Sequence, residues 1–190
     1  MKKWLFLIFI SSIMSSNSFA CVYWGETNIR SDLRVFEFNE FAENYLDKPA
    51  NVVITGKKKN KKTLIIQFEP YNIASLDFAP CIQFTSKYVD DSIEMIEKFL
   101  KWEKMAVENK DTFGKEIGKV KRQMGVKNKF SFWSGNSESH YLIIDTCSMG
   151  NCSVDNSFYF DKKNTIILLN LLRELKDDKL PRPDAGDKYS

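Results

Sequence analysis

The chain has 190 residues, with 28 Lys+Arg against 25 Asp+Glu and a net charge of +3, and it is long enough for one domain with its own core. Residues 1–20 hold two lysines and no acids, so the remaining 170 residues (190 − 20) carry 26 − 25 = +1. So balanced a total excludes the strongly basic class of nucleic-acid-binding domains.

The first segment reads as an address. Lys2 and Lys3 form a charged start, Trp4 to Ile10 an apolar run, and Ser18-Phe19-Ala20 a small-x-small cleavage site. The apolar run is too short to span a bilayer, so the expectation is cleavage between Ala20 and Cys21, a periplasmic or secreted product and no transmembrane span. The cysteines, Cys21, Cys81, Cys147 and Cys152, then read as disulfides of an oxidising compartment. Cys147 and Cys152 flank the tight turn Ser-Met-Gly-Asn and pair locally, which leaves Cys21 with Cys81. A competing reading makes Cys21 the lipid-bearing first residue of a lipoprotein. Against it, Ser18 stands where that signal usually has an aliphatic residue.

Leu33–Phe38, rich in β-branched and aromatic residues, is the first predicted strand, and residues 44–49 read as a connection. Residues 51–56 and 63–69 form a hairpin expected to place Val53, Thr55, Leu64, Ile66 and Phe68 on one face. Its tip carries Lys57, Lys58, Lys59, Lys61 and Lys62. These read as a solvated loop that discourages edge pairing, in preference to a contact with an anionic surface. Residues 70–80 are a loop and residues 81–86 a short strand.

Residues 89–109 are the central helix. Val89, Ile93, Ile96, Leu100 and Val107 form one apolar stripe, and Met95, Phe99, Trp102 and Ala106 a second, interrupted only by Glu103. Glu94–Lys98 and Glu97–Lys101 are spaced as i,i+4 pairs on the polar side. Asp90, Asp91 or Ser92 caps the start. Phe113, Ile117, Val120 and Met124 recur at helical spacing and predict a second helix, although Gly114 and Gly118 weaken it. Its other face, Lys115, Lys119 and Arg122, reads as solvated in preference to a phosphate or headgroup contact.

Residues 129–134 and 139–146 are the clearest hairpin. A four-residue loop, 135–138, would set Ser134 opposite Ser139, Phe132 opposite Tyr141 and Phe130 opposite Ile143. On the other face it would bring Trp133 beside His140. Residues 157–160 make a short aromatic strand. Asp161 or Asn164 then caps a last helix, residues 165–176, which buries Ile166, Leu168, Leu169, Leu172 and Leu175. Residues 21–177 form the domain, and residues 178–190 read as a disordered polar tail. The fold class is α+β: a mostly antiparallel sheet of six or seven strands against a long central helix and a C-terminal helix.

Catalytic chemistry finds little support. Any Ser-His-Asp or Cys-His arrangement must use His140, whose neighbour Asp145 projects from the opposite face of the same strand. Ser137 and Ser139 lie in or beside the turn, and paired cysteines offer no thiolate. One histidine and one Cys-x4-Cys pair do not make the usual zinc or iron sets. Glu26, Glu37 and Asp145 are candidates for a carboxylate pair only in the sense that any acid is. No catalytic residue, metal or cofactor is assigned. The reading is an exported non-catalytic binding protein whose partner is another protein of the cell envelope, with no nucleic acid. An immunity-type inhibitor of an envelope-acting toxin is one form of it. The alternatives are an envelope enzyme acting on cell-wall or sugar substrates with carboxylates, and an outer-membrane lipoprotein anchored at Cys21. Trp133 and His140 are the candidate contact residues.

Overall fold

Among the described residues, antiparallel strands, two α-helices and a 3-10 turn at Ser86–Tyr88 make the fold, which is α+β as its element order predicts. The structure is a computed structural model describing residues 27–39, 42–56, 58, 61–68, 81–122, 125–148, 151–152 and 157–181. Its elements are β1 (Thr27–Ile29), β2 (Arg34–Asn39), β3 (Asn44–Pro49), β4 (Asn51–Thr55), β5 (Thr63–Gln67), β6 (Cys81–Thr85), α1 (Val89–Asn109), β7 (Gly114–Lys121), β8 (Lys127–Ser134), β9 (His140–Ser148), β10 (Asn151–Cys152), β11 (Phe158–Phe160) and α2 (Lys162–Lys176). Among the described residues the strands divide into two sheets. One has four strands in the order β1-β4-β5-β6; the other has seven, ordered β3-β2-β11-β9-β8-β7 with β10 beside β9.

Helix α1 buries Val89, Ser92, Ile96, Phe99, Glu103 and Ala106, a three-four spacing that keeps one stripe on the core. Val107, expected inside, is exposed. Glu103 is drawn inside instead, held by Lys162 at the start of α2 at 2.8 Å. The expected i,i+4 pairs give way to tertiary ones. Glu97 takes Arg173 of α2 at 2.8 Å. Lys98 donates to the Ile117 carbonyl at 3.3 Å and lies over the Trp102 ring. No side chain caps α1, whereas Asp161 caps α2 by accepting from the Asn164 N–H at 2.8 Å.

The expected second helix is β7, paired along its length with β8. Its apolar spacing misleads because of a bulge between Glu116 and Gly118. The extra residue lets Ile117 and Val120, three apart, both turn inward. Gly118 also faces α1: a β-carbon there would stand 2.7 Å from the Met95 sulfur, so glycine lets helix and sheet approach. Residues 44–49, read as a connection, form β3, the strand at one edge of the larger sheet. Its Pro49 stands at the strand end, where a missing N–H does no harm.

Both hairpins pair out of phase with expectation, the second by one residue, and each change exchanges faces. In the smaller sheet Val52 pairs with Ile66 and Ile54 with Leu64, so Val53 and Thr55 lie opposite to the predicted face. In the larger sheet Ser134 pairs with His140 and Phe132 with Leu142 across a five-residue loop, 135–139. The Asn136 side chain closes that loop, accepting from the N–H groups of Glu138 and Ser139 at 2.8 Å each. This register buries Phe130, Phe132, Leu142 and Ile144 together, which the four-residue loop would not have done.

The lysine tip is not uniformly solvated. Lys58 and Lys61 are exposed, but Lys62 is buried and forms an ion pair with Asp178. Lys57 and Lys59 lie outside the described residues. Asp178, Lys179, Leu180 and Pro181 belong to the expected tail, yet Leu180 is buried in the core. A disulfide joins Cys147 to Cys152. Cys81 is disulfide-bonded as well, while Cys21, its expected partner, lies outside the described residues, as does the rest of 1–26.

Candidate functional site: the aromatic outer face of the larger sheet

The two faces of the seven-stranded sheet differ in chemistry. The inner face carries Val35, Phe130, Phe132, Leu142, Ile144, Phe158 and Phe160, all buried in one cluster with residues of both helices. Strand alternation sends their neighbours outward: Phe36 and Phe38 from β2, Tyr45 from β3, Trp133 from β8, Tyr141 from β9 and Tyr159 from β11. These six are half-buried or, for Phe38 at 50%, exposed.

Tyr45 is the hub. Its ring centroid lies 5.2 Å from that of Tyr159, 5.3 Å from Tyr141, 5.3 Å from Phe38 and 5.4 Å from Trp133. Four strand spacings separate β3 from β8, about 19 Å on a flat sheet. Rings so close therefore require the sheet to curl toward this face, which is concave. The rings meet at 29° to 62° around Tyr45, a mosaic of edges and faces. Sequence reasoning missed Tyr45 because β3 is a short, polar edge strand.

Beside the aromatic residues, on the same face, Lys129 and Asp145 pair at 2.6 Å, and Ser157 donates to the second carboxylate oxygen at 2.6 Å. Tyr159 hydrogen-bonds Tyr45. Burial pushes the Tyr159 phenol up to about 12; the nearby Tyr45 and Asp145 add to this and the Ser157 hydrogen bond opposes it. Burial likewise raises Tyr45, against the hydrogen bond from Tyr159, and raises Tyr141, helped by Asp161 and Tyr45. These phenols stay protonated at ordinary pH. They can donate and accept hydrogen bonds, but they are poorly matched to general-base work.

Trp133 and His140 are brought to opposite faces by the observed register. Trp133 joins the outer mosaic, 5.9 Å from Tyr141. His140 is buried on the inner side against Phe132, with Nδ1 2.9 Å from the Ser134 hydroxyl. Ser134 meets it at Nδ1 while Nε2 has no partner, so no nucleophile–base–carboxylate chain runs through His140 among the described residues. Glu37 and Asp145 point to opposite faces as well, Glu37 being paired with Lys48 at 2.7 Å, so they cannot flank one bond. Glu26 lies outside the described residues. No group of three metal-binding side chains occurs among the described residues, and no described helix is long and apolar enough to cross a membrane. No known family, curated protein or solved structure matches this chain.

Proposed function

We propose that this chain is a non-catalytic binding protein that works through the aromatic outer face, exported to the cell envelope, with another protein as its partner. One observation carries the reading: six large aromatic side chains from five strands gather, half-exposed, on a concave sheet face away from both helices. Tyrosine and tryptophan give large contact area for little lost rotamer freedom, and their polar atoms stay useful at a wet boundary. Rings packed on one another, Tyr45 stacked on Tyr141 and tilted against Trp133 and Tyr159, suit a folded protein surface better than a planar ligand, which needs one open ring face. The Cys147–Cys152 bridge is compatible with an oxidising compartment. An immunity-type inhibitor of an envelope toxin needs a surface of this kind and no catalytic group.

A photo-crosslinking residue at position 141 tests this in the producing cell. The expected result is one discrete adduct from position 141, none from the exposed helix position Ile166, and loss of the adduct in Trp133→Ala. Equal labelling from both positions, or an adduct indifferent to Trp133, would overturn the outer-face reading. Intact mass of the periplasmic form tests export separately, with Cys21 as the expected first residue.

A further inference from the structure

The outer face changes character along its strands. Toward the 135–139 loop it is aromatic; toward the other end it is basic. Lys121 pairs directly with Lys127, and Lys119 with Lys129, so four lysines from β7 and β8 share that end. Lys129 is neutralised by Asp145 at 2.6 Å and Lys119 by Glu116 at 3.6 Å. Lys121 and Lys127 are exposed, and neither has an acidic partner among the described residues. Like charges directly opposite on neighbouring strands destabilise the pairing.

Edge protection accounts for only half of this. Lysines on β7, the edge strand, discourage pairing with another chain. Lys127 and Lys129 stand on β8, which is paired on both sides and has no edge to protect. Nor is the lysine end remote from the aromatic one. Lys129 and Trp133 are four residues apart on the same side of one strand, about 13 Å.

We infer that the partner is an acidic protein surface, whose carboxylates meet Lys121 and Lys127 while its apolar centre packs on Trp133, Tyr141 and Tyr45. Carboxylates would relieve the uncompensated lysine pair, so the local strain in the free protein favours binding. This rests on the outer-face reading and adds the sign of the partner's charge. A single-stranded nucleic acid or anionic glycan would also seek lysines, but both are held by stacking on open ring faces, and here the half-buried rings pack on one another, Tyr45 stacked on Tyr141 and tilted against Trp133 and Tyr159.

The full chain can be titrated with a fluorescent peptide of alternating glutamate and leucine, its lysine-for-glutamate counterpart, an oligothymidylate and a heparin oligosaccharide. The expected result is anisotropy change with the acidic peptide, weakened by salt, and none with the basic one. Lys121→Glu/Lys127→Glu keeps a like-charged pair, so melting stays near the parent while affinity for the acidic peptide falls about tenfold or more. Trp133→Ala should weaken the same peptide. If the lysine double variant binds unchanged while Trp133→Ala does not, the charge inference falls and the outer-face reading stands. If the lysine variant weakens binding and Trp133→Ala does not, the aromatic half falls, and with it the inference as stated. Absence of binding by the acidic peptide, or equal lysine-dependent binding of oligothymidylate or heparin, overturns the assignment to an acidic protein.

Discussion

The inner and outer faces of the larger sheet are built by alternate residues of the same strands, yet they solve different problems. The inner face is mainly Phe, Leu, Ile and Val packed in one cluster with residues of the helices and the smaller sheet, and the few polar groups on it, Lys48, Glu37 and His140 among them, are paired or hydrogen-bonded. The outer face is Tyr, Trp, Lys and Asp, where every large ring but those of Phe36 and Phe38 carries a polar atom. On a buried face a charged group must be paired, as Lys48 is with Glu37, because it loses hydration when covered. The proposed binding role would need a half-wet face, with large rings and polar atoms together. One strand can thus carry a buried face and a half-exposed aromatic face at period two.

The comparison breaks most easily from the inside. Phe132 is fully buried between Phe99, Phe113 and His140, so Phe132→Ala should lower stability by about 3–5 kcal/mol in denaturant unfolding. Trp133, its neighbour on the other face, is only half-buried. Trp133→Ala should lower stability by about 1–2 kcal/mol while binding weakens by about 2 kcal/mol or more. A loss for Trp133→Ala as large as that for Phe132→Ala would mean that the outer face is a second core.

Alkaline titration sharpens the same contrast. The Tyr159 phenol is raised from 10.0 to about 12 in the folded state. The folded protein therefore holds this proton more tightly than the unfolded chain. The stabilisation is complete below pH 10 and is lost as pH rises toward 12. Tyr159→Phe should flatten the fall in melting temperature across that window, whereas a fall of unchanged slope would show that other groups control it. The smallest effect is expected at the basic end. Lys127→Gln removes one of two facing cations and should raise the melting temperature slightly at low salt, with the gain vanishing at high salt. A lower melting temperature at low salt would show that Lys127 has a favourable partner.

Several elements were legible in the chain because their signals are local. The apolar stripe of α1, the Asp161 cap of α2, the β-branched runs of β4 and β5 and the Cys147–Cys152 turn each depend on residues close in sequence. These fix the α+β class. Register was not local. A hairpin loop of four residues or five satisfies the same turn chemistry, and only the joint burial of Phe130, Phe132, Leu142 and Ile144 under α1 selects five. That choice sent Tyr141 outward to Trp133 and His140 inward. Strand β7 was likewise decided by its partner β8 and by the fit of Gly118 against Met95, against an apolar spacing that looks helical. Lys62 reads as solvated beside its lysine neighbours until the chain folds far enough to bring Asp178 to it. Residue order alone settles which residues are apolar, aromatic or charged, and it places the cap of α2 but not the start of α1. Which of them share a face, and so the aromatic and basic ends of one surface, was decided only by strand pairing, from neighbours such as Lys121 and Lys127 to distant partners such as Phe36 and Tyr159, where burying the inner face outweighs local preference.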